Sequence, residues 1–379
     1  MSSTRTPAEL MVGTRKGLFT LRRGPSGWDV ERVEFLAIPV NMLLHDPRDG
    51  RRYAALLHGH FGAKLHRTTT NHATWEECGT PTYPEGATIS PPPSPAGPDP
   101  SAPRRPASMK EFWALETADP SKPGSLWAGT IPGGLFRSDD SGTTWKLCEG
   151  LWDRPERANW FGGGKDEPGI HSVCVDPRDP QRVAVAVSCA GVWETRDGGE
   201  TWQVVGKGLR AEYMPPEMAY DLVAQDPHAM VRCPAQPDGL WIQHHNGVFK
   251  SDDGATTFSE ITDIDPAVFG FAVAVHPKDS KTAWLAPAQK DELRVPVEGK
   301  LVVTRTRDGG ATWTKLTNGL PQRHCYDIVY RHALAIDGTG ECLAMGSTTG
   351  GLWVTENGGD AWTQLPMRLP PVYCVKFAE

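Results

Sequence analysis

The chain runs to 379 residues with 40 Gly, 34 Pro and 14 Trp, and carries a formal net charge of −7. That balance, with no basic stripe interleaved with aromatics, excludes a sequence-independent grip on nucleic acid. No apolar stretch is long enough to span a membrane, Met1 to Ala8 lack the apolar core of a signal peptide, and the eight scattered cysteines without C-x-x-C spacing read as buried reduced thiols, so a cytoplasmic protein is expected.

Residues 1–8 are expected to form a flexible N-terminus and 9–379 a single domain. Leu10 to Thr20 has the pattern of two short strands around Gly13 to Gly17, followed by Trp28, but no strand precedes it. Met42-Leu43-Leu44-His45-Asp46-Pro47 is the first of several apolar runs that end in a Pro-containing turn; Val173 to Pro177 and Ala272 to Pro277 are others. Residues 81–108 are Pro-rich and predicted to form an extended lid or partner arm.

From Ser138 onward one box dominates. Ser138-x-Asp140-x-Gly142-x-Thr144-Trp145 returns as Thr195 to Trp202 and Thr306 to Trp313, and more weakly as Ser251 to Phe258, Thr355 to Trp362 and Thr68 to Trp75. Each copy follows a short strand such as Gly191-Val192-Trp193 and precedes another such as Gln203-Val204-Val205, so the box reads as a hairpin turn. Its Asp can accept backbone N–H groups, its Gly takes positive φ, and its Trp folds back over the strands. A period of about 50 residues with four short strands per unit predicts an all-β, seven-bladed β-propeller of four-stranded antiparallel blades. The chain ends on an unpartnered strand, Val372 to Phe377, which is predicted to complete the N-terminal blade and close the ring.

The boxes also divide the disc into two faces. They share one face with the Asp-Pro turns, where His45, His228 and His276 read as structural, so function is expected on the other. That face carries the crossovers and the connections between second and third strands, including a long loop at 149–170. Six histidines from four blades, His58, His60, His171, His244, His245 and His324, are candidate ligands for a divalent metal at the channel mouth. Asp153, Glu212, Asp221 and Asp327, with Arg323, are candidate catalytic groups, since two carboxylates across a mouth serve acid–base or nucleophilic chemistry on a glycoside. Arg15, Lys16, Trp152, Arg154, Trp160, Tyr213 and Arg294 are candidate substrate contacts. Glu111, Asp291 and several other loop carboxylates fall on the same face.

The boxes resemble the Asp-box, or BNR, repeats of sialidase-like propellers, over about residues 10 to 379. The resemblance implies the fold and, with it, a superfamily that includes sialidases, xyloglucan-active glycoside hydrolases, receptor ectodomains and photosystem II assembly factors. A true sialidase is not expected: in Leu36-Ala37-Ile38-Pro39, Ala37 stands where the family motif requires Arg, and seven blades are counted rather than six. The expectation is a hydrolase acting on a glycoside or other small polar substrate at the channel mouth, with metal assistance through the histidines. The alternative is a non-catalytic propeller that binds a protein or ligand through its long loops.

Overall fold

The computed structural model describes residues 8–69, 74–90, 103–162 and 165–378. Among these, seven four-stranded antiparallel sheets form a ring, the β-propeller that the repeat predicts. The innermost strands are Val372–Ala378, Val40–His45, Glu111–Thr117, Ile170–Asp176, Pro227–Arg232, Gly270–His276 and Leu334–Ile336, and successive ones pack side by side around a central channel. Both chain ends build the first blade: Val372–Ala378 pairs antiparallel with Glu9–Thr14, from Leu10 against Phe377 to Thr14 against Val372. This closes the ring without leaving the edge of Glu9–Thr14 unpaired.

Each described box forms the turn between third and fourth strands. The Thr195 hydroxyl donates to Asp197 Oδ1 at 2.7 Å, and that oxygen accepts the Thr201 N–H at 2.9 Å. Asp140, Asp253, Asp308 and Asn357 repeat the pattern. The copy at Thr68 to Trp75 falls partly outside the described residues. Aromatic side chains of the third strands, Phe136, Trp193, Phe249 and Trp353, are fully buried. They build cores between neighbouring blades, as where Trp127 of the third blade meets Trp193 and Trp202 of the fourth. A ring of such cores grows by adding blades, which is how one fold accommodates a chain of this length.

Candidate functional site

On the face opposite the boxes the channel widens into a cavity of about 680 Å³. A repeated backbone feature shapes it. Near the start of six innermost strands the register slips, between Val40 and Met42, Phe112 and Ala114, Ile170 and Ser172, Pro227 and Ala229, Gly270 and Val273, and Val372 and Cys374. A bulge leaves a residue unpaired and re-aims its side chain. The residues at these slips, Asn41, Trp113, His171, His228, Phe271 and Tyr373, all line the channel. In the seventh blade a short 3-10 turn, Arg331–Ala333, delivers Arg331 and His332 instead.

The fifth blade contributes the densest chemistry. Asp226 ends the crossover, His228 is the bulge residue, and His245 sits in the next hairpin of the same blade. Their ligand atoms lie within 4.8 Å of one another. His228 Nε2 and His245 Nδ1 each stand 3.5 Å from Asp226 Oδ2. His228 Nδ1 is 2.7 Å from the Gly270 carbonyl and must donate to it, so a neutral ring turns a bare Nε2 toward a carboxylate oxygen. Two lone pairs facing each other in a buried site call for a positive charge between them, a proton on Nε2 or a metal ion. The other Asp226 oxygen accepts the Ser188 hydroxyl and the Cys189 N–H, both at 3.0 Å. Cys189 reaches that position through a left-handed backbone with φ of 53°.

The strand ends between the adjacent histidines, His244 closing it and His245 standing in the turn. His244 points into the blade, where its Nε2 accepts the Asp226 N–H at 3.1 Å and burial pushes its imidazole down to about 3. Burial likewise lowers His228. Burial would also lower His245, but hydrogen bonding to Asp226 and the charges of Asp226 and Asp291 outweigh it and raise it. For Asp226, burial works upward and is overridden by His228 and His245, which hold the carboxyl well below its usual range.

Aromatic faces and ion pairs line the rest of the cavity. His228 stacks on Phe271 at 4.6 Å, and Tyr330 meets Phe271 edge-on at 4.7 Å. Lys165 pairs with Glu111 at 3.0 Å, and Arg294 Nε donates to Asp291 at 3.0 Å with its guanidinium over Phe271. Asp291 Oδ2 also stands 4.0 Å from His245 Nε2. Below, Arg331 and His332 divide this cavity from a second one of about 580 Å³.

The sequence-derived site residues distribute unevenly around this arrangement. Of the six candidate metal histidines only His245 belongs to the cluster. His58 and His60 sit at the tip of an outer loop, where His58 packs on Phe61, and His324 is exposed on another. His171 is buried lower in the channel, its Nε2 2.7 Å from the Pro227 carbonyl. The histidines therefore do not converge, because loops on one face differ in distance from the axis. His228, read from sequence as structural on the box face, lies in the cavity: Pro227 opens its strand rather than ending one.

Among the candidate catalytic groups, Asp153, Glu212, Asp221 and Arg323 are exposed and away from the cavity wall. Glu212 pairs with Arg210, and Asp221 caps a 3-10 turn through the Val223 N–H at 2.9 Å. Asp327 accepts the Cys325 thiol and the hydroxyls of Ser347 and Thr349. Tyr213 and Arg294 line the cavity, whereas Arg15 and Lys16 are exposed beyond it. Trp160 is buried against Trp193, Arg154 pairs with Glu156, and Trp152 is covered by Arg157 at 3.3 Å. The described base of the Pro-rich segment joins the long loop on this face: Arg105 and Lys110 both bind Glu167, and Ser90 donates to Ala158. Of the segment expected as a lid over 81–108, residues 81–90 and 103–108 are described, with Thr88–Ile89 paired antiparallel to Arg105–Pro106, and residues 91–102 lie outside the described residues.

No family model matches the chain. A xyloglucanase of Hypocrea jecorina (strain QM6a) is 30% identical over 157 residues, which is 38% of this chain and 17% of that protein. Among solved structures, an ancestral GH74 enzyme superposes with a TM-score of 0.56 at 16% identity, covering 86% of this chain and 38% of the other. YCF48 from Cyanidioschyzon merolae superposes with a TM-score of 0.53 at 14% identity, covering 94% and 92%. The structural likenesses establish the propeller fold, and the chain covers 17% of the length of the Hypocrea jecorina xyloglucanase.

Proposed function

We propose that the chain is a glycoside-hydrolase-like propeller that hydrolyses a small polar substrate of carbohydrate type in its central cavity, at a divalent metal held by Asp226, His228 and His245. The observation that carries this reading is the bare His228 Nε2 set 3.5 Å from Asp226 Oδ2, with His245 Nδ1 at the same distance from that oxygen. Ligand atoms around a tetrahedral ion with bonds of about 2.1 Å stand roughly 3.4 Å apart, so both separations from Asp226 Oδ2 suit an ion shared with the two imidazoles. Two imidazoles and one carboxylate also leave a coordination position open.

A metal bound there would lower the pKa of its water and supply a nucleophile at neutral pH. The chain's own groups then orient the ligands. Gly270 fixes the His228 tautomer, Ser188 and Cys189 hold the Asp226 carboxylate, and Asp291 faces the outer nitrogen of His245. Phe271, Tyr330 and Trp113 give the wall apolar area against which a sugar can pack. The xyloglucanase activity named for the curated relative supports the carbohydrate class.

Metal analysis and calorimetric titration with Zn²⁺ and Mn²⁺, followed by a panel of aryl glycosides with and without chelator, test the reading. One ion per chain is expected, with binding weakened at least about tenfold in His228→Ala and His245→Ala and unaltered in His58→Ala and His324→Ala. Absence of stoichiometric metal would remove the metal, and turnover undiminished in both cavity variants would remove the cavity. Ligand binding without any turnover would favour a non-catalytic propeller.

A further inference from the structure

Among the described residues, the charges around the cavity pair off with one exception. Glu111 meets Lys165, Asp291 meets Arg294, and Asp226 faces His228 and His245. Arg331 has no carboxylate within ion-pair distance among the described residues, and its buried Nε has no hydrogen-bond partner. It is no ordinary surface arginine: its guanidinium carbon lies 4.7 Å from the Trp113 ring centre and 5.6 Å from that of Phe271, in the wall of the cavity. Aromatic faces attract a cation, but they leave its in-plane N–H donors without acceptors. A cation drawn partly out of water with no carboxylate in contact is costly to maintain.

We infer that Arg331 anchors an oxyanion group, a carboxylate or phosphate, on the small molecule that occupies the cavity, which makes the ligand an acidic sugar rather than a neutral one. The inference rests on the cavity reading above for where the ligand sits, and it holds with or without the metal. A guanidinium presents paired N–H donors in one plane, a fork that matches two oxygens of one acid group. Among the described residues, histidines aside, three carboxylates and three fixed cations line the cavity and cancel, so a divalent ion on Asp226 leaves an excess of positive charge that a neutral sugar cannot balance.

Calorimetry and thermal shift with glucuronate, glucose 6-phosphate and glucose, on metal-loaded and chelator-treated protein, test this in the wild type, Arg331→Met and Arg331→Lys. Wild type should bind at least one of the acids roughly 10- to 100-fold more tightly than glucose, the range expected of hydrogen bonds to a charged group. The preferred acid identifies carboxylate or phosphate. Arg331→Met should lose the preference and Arg331→Lys should keep part of it. Ligand-free Arg331→Met should melt no lower than wild type, since an apolar replacement for an unpaired cation is neutral to stabilising. Should Arg331→Met fail to fold, Arg331→Lys decides: affinity equal to wild type overturns the fork. The inference is also overturned if wild type treats acid and neutral sugar alike, or if Arg331→Met discriminates as wild type does. Discrimination that survives in protein found to hold no metal sinks the metal and keeps Arg331; a bound metal without discrimination does the reverse.

Discussion

Asp197 and Asp308 act in their turns as ionised groups. Hydrogen bonds from the Thr201 and Thr312 hydroxyls, then from the same residues' N–H groups, lower each carboxyl to about 2. The unfolded value is about 3.9, so the folded chain binds fewer protons, and the stabilisation is complete above that pH and is lost as pH falls toward about 2. Asn357 makes the same backbone bond without a titrating group, accepting the Ala361 N–H at 3.0 Å. The double variant Asp197→Asn/Asp308→Asn is therefore expected to melt close to wild type at neutral pH and to lose less on acidification between about pH 4 and 2. Superimposable melting-temperature profiles across that range would show that these carboxylates do not couple folding to pH. At this scale the sequence was most legible where chemistry is local, since every atom in a box lies within eight residues. His245 was also legible as a loop histidine, whereas Asp226 was hidden in Gln225-Asp226-Pro227, which reads as an ordinary turn.

The third strands work as plugs between blades. Trp193 is fully buried, its Nε1 donates to the Ala190 carbonyl at 2.8 Å, and its ring meets Trp160 at 5.6 Å. Trp193→Ala should cost about 3–5 kcal/mol, read from the urea midpoint at constant slope; a loss below about 1 kcal/mol would mean that the blades collapse to fill the space. The inner strands were less legible. Ile170-His171-Ser172 and Pro227-His228-Ala229 look like plain strand starts, and nothing in them announces a bulge. Their available signal is recurrence: a polar or aromatic residue follows the first residue of the inner strand at Asn41, His171, His228, Phe271 and Tyr373.

At the scale of the whole molecule, closure by Val372–Ala378 ties the two chain ends into one sheet. Truncation after Pro371 is expected to destabilise the entire ring, because Leu10 and Val12 lose the cover of Phe377 and Val375 and the edge of Glu9–Thr14 is opened. An unchanged melting temperature in the truncated chain would refute that role. Sequence alone determined the repeat, the blade count, the closing strand and the face on which to look, because boxes and strand alternation are short-range patterns that each unit states for itself. Only the tertiary structure decided which residues of that face meet. Distance from the propeller axis and the direction of a bulged side chain depend on how seven blades pack together, and that packing sends His58 and His324 outward while bringing Asp226, His228, His245 and Arg331 to one cavity.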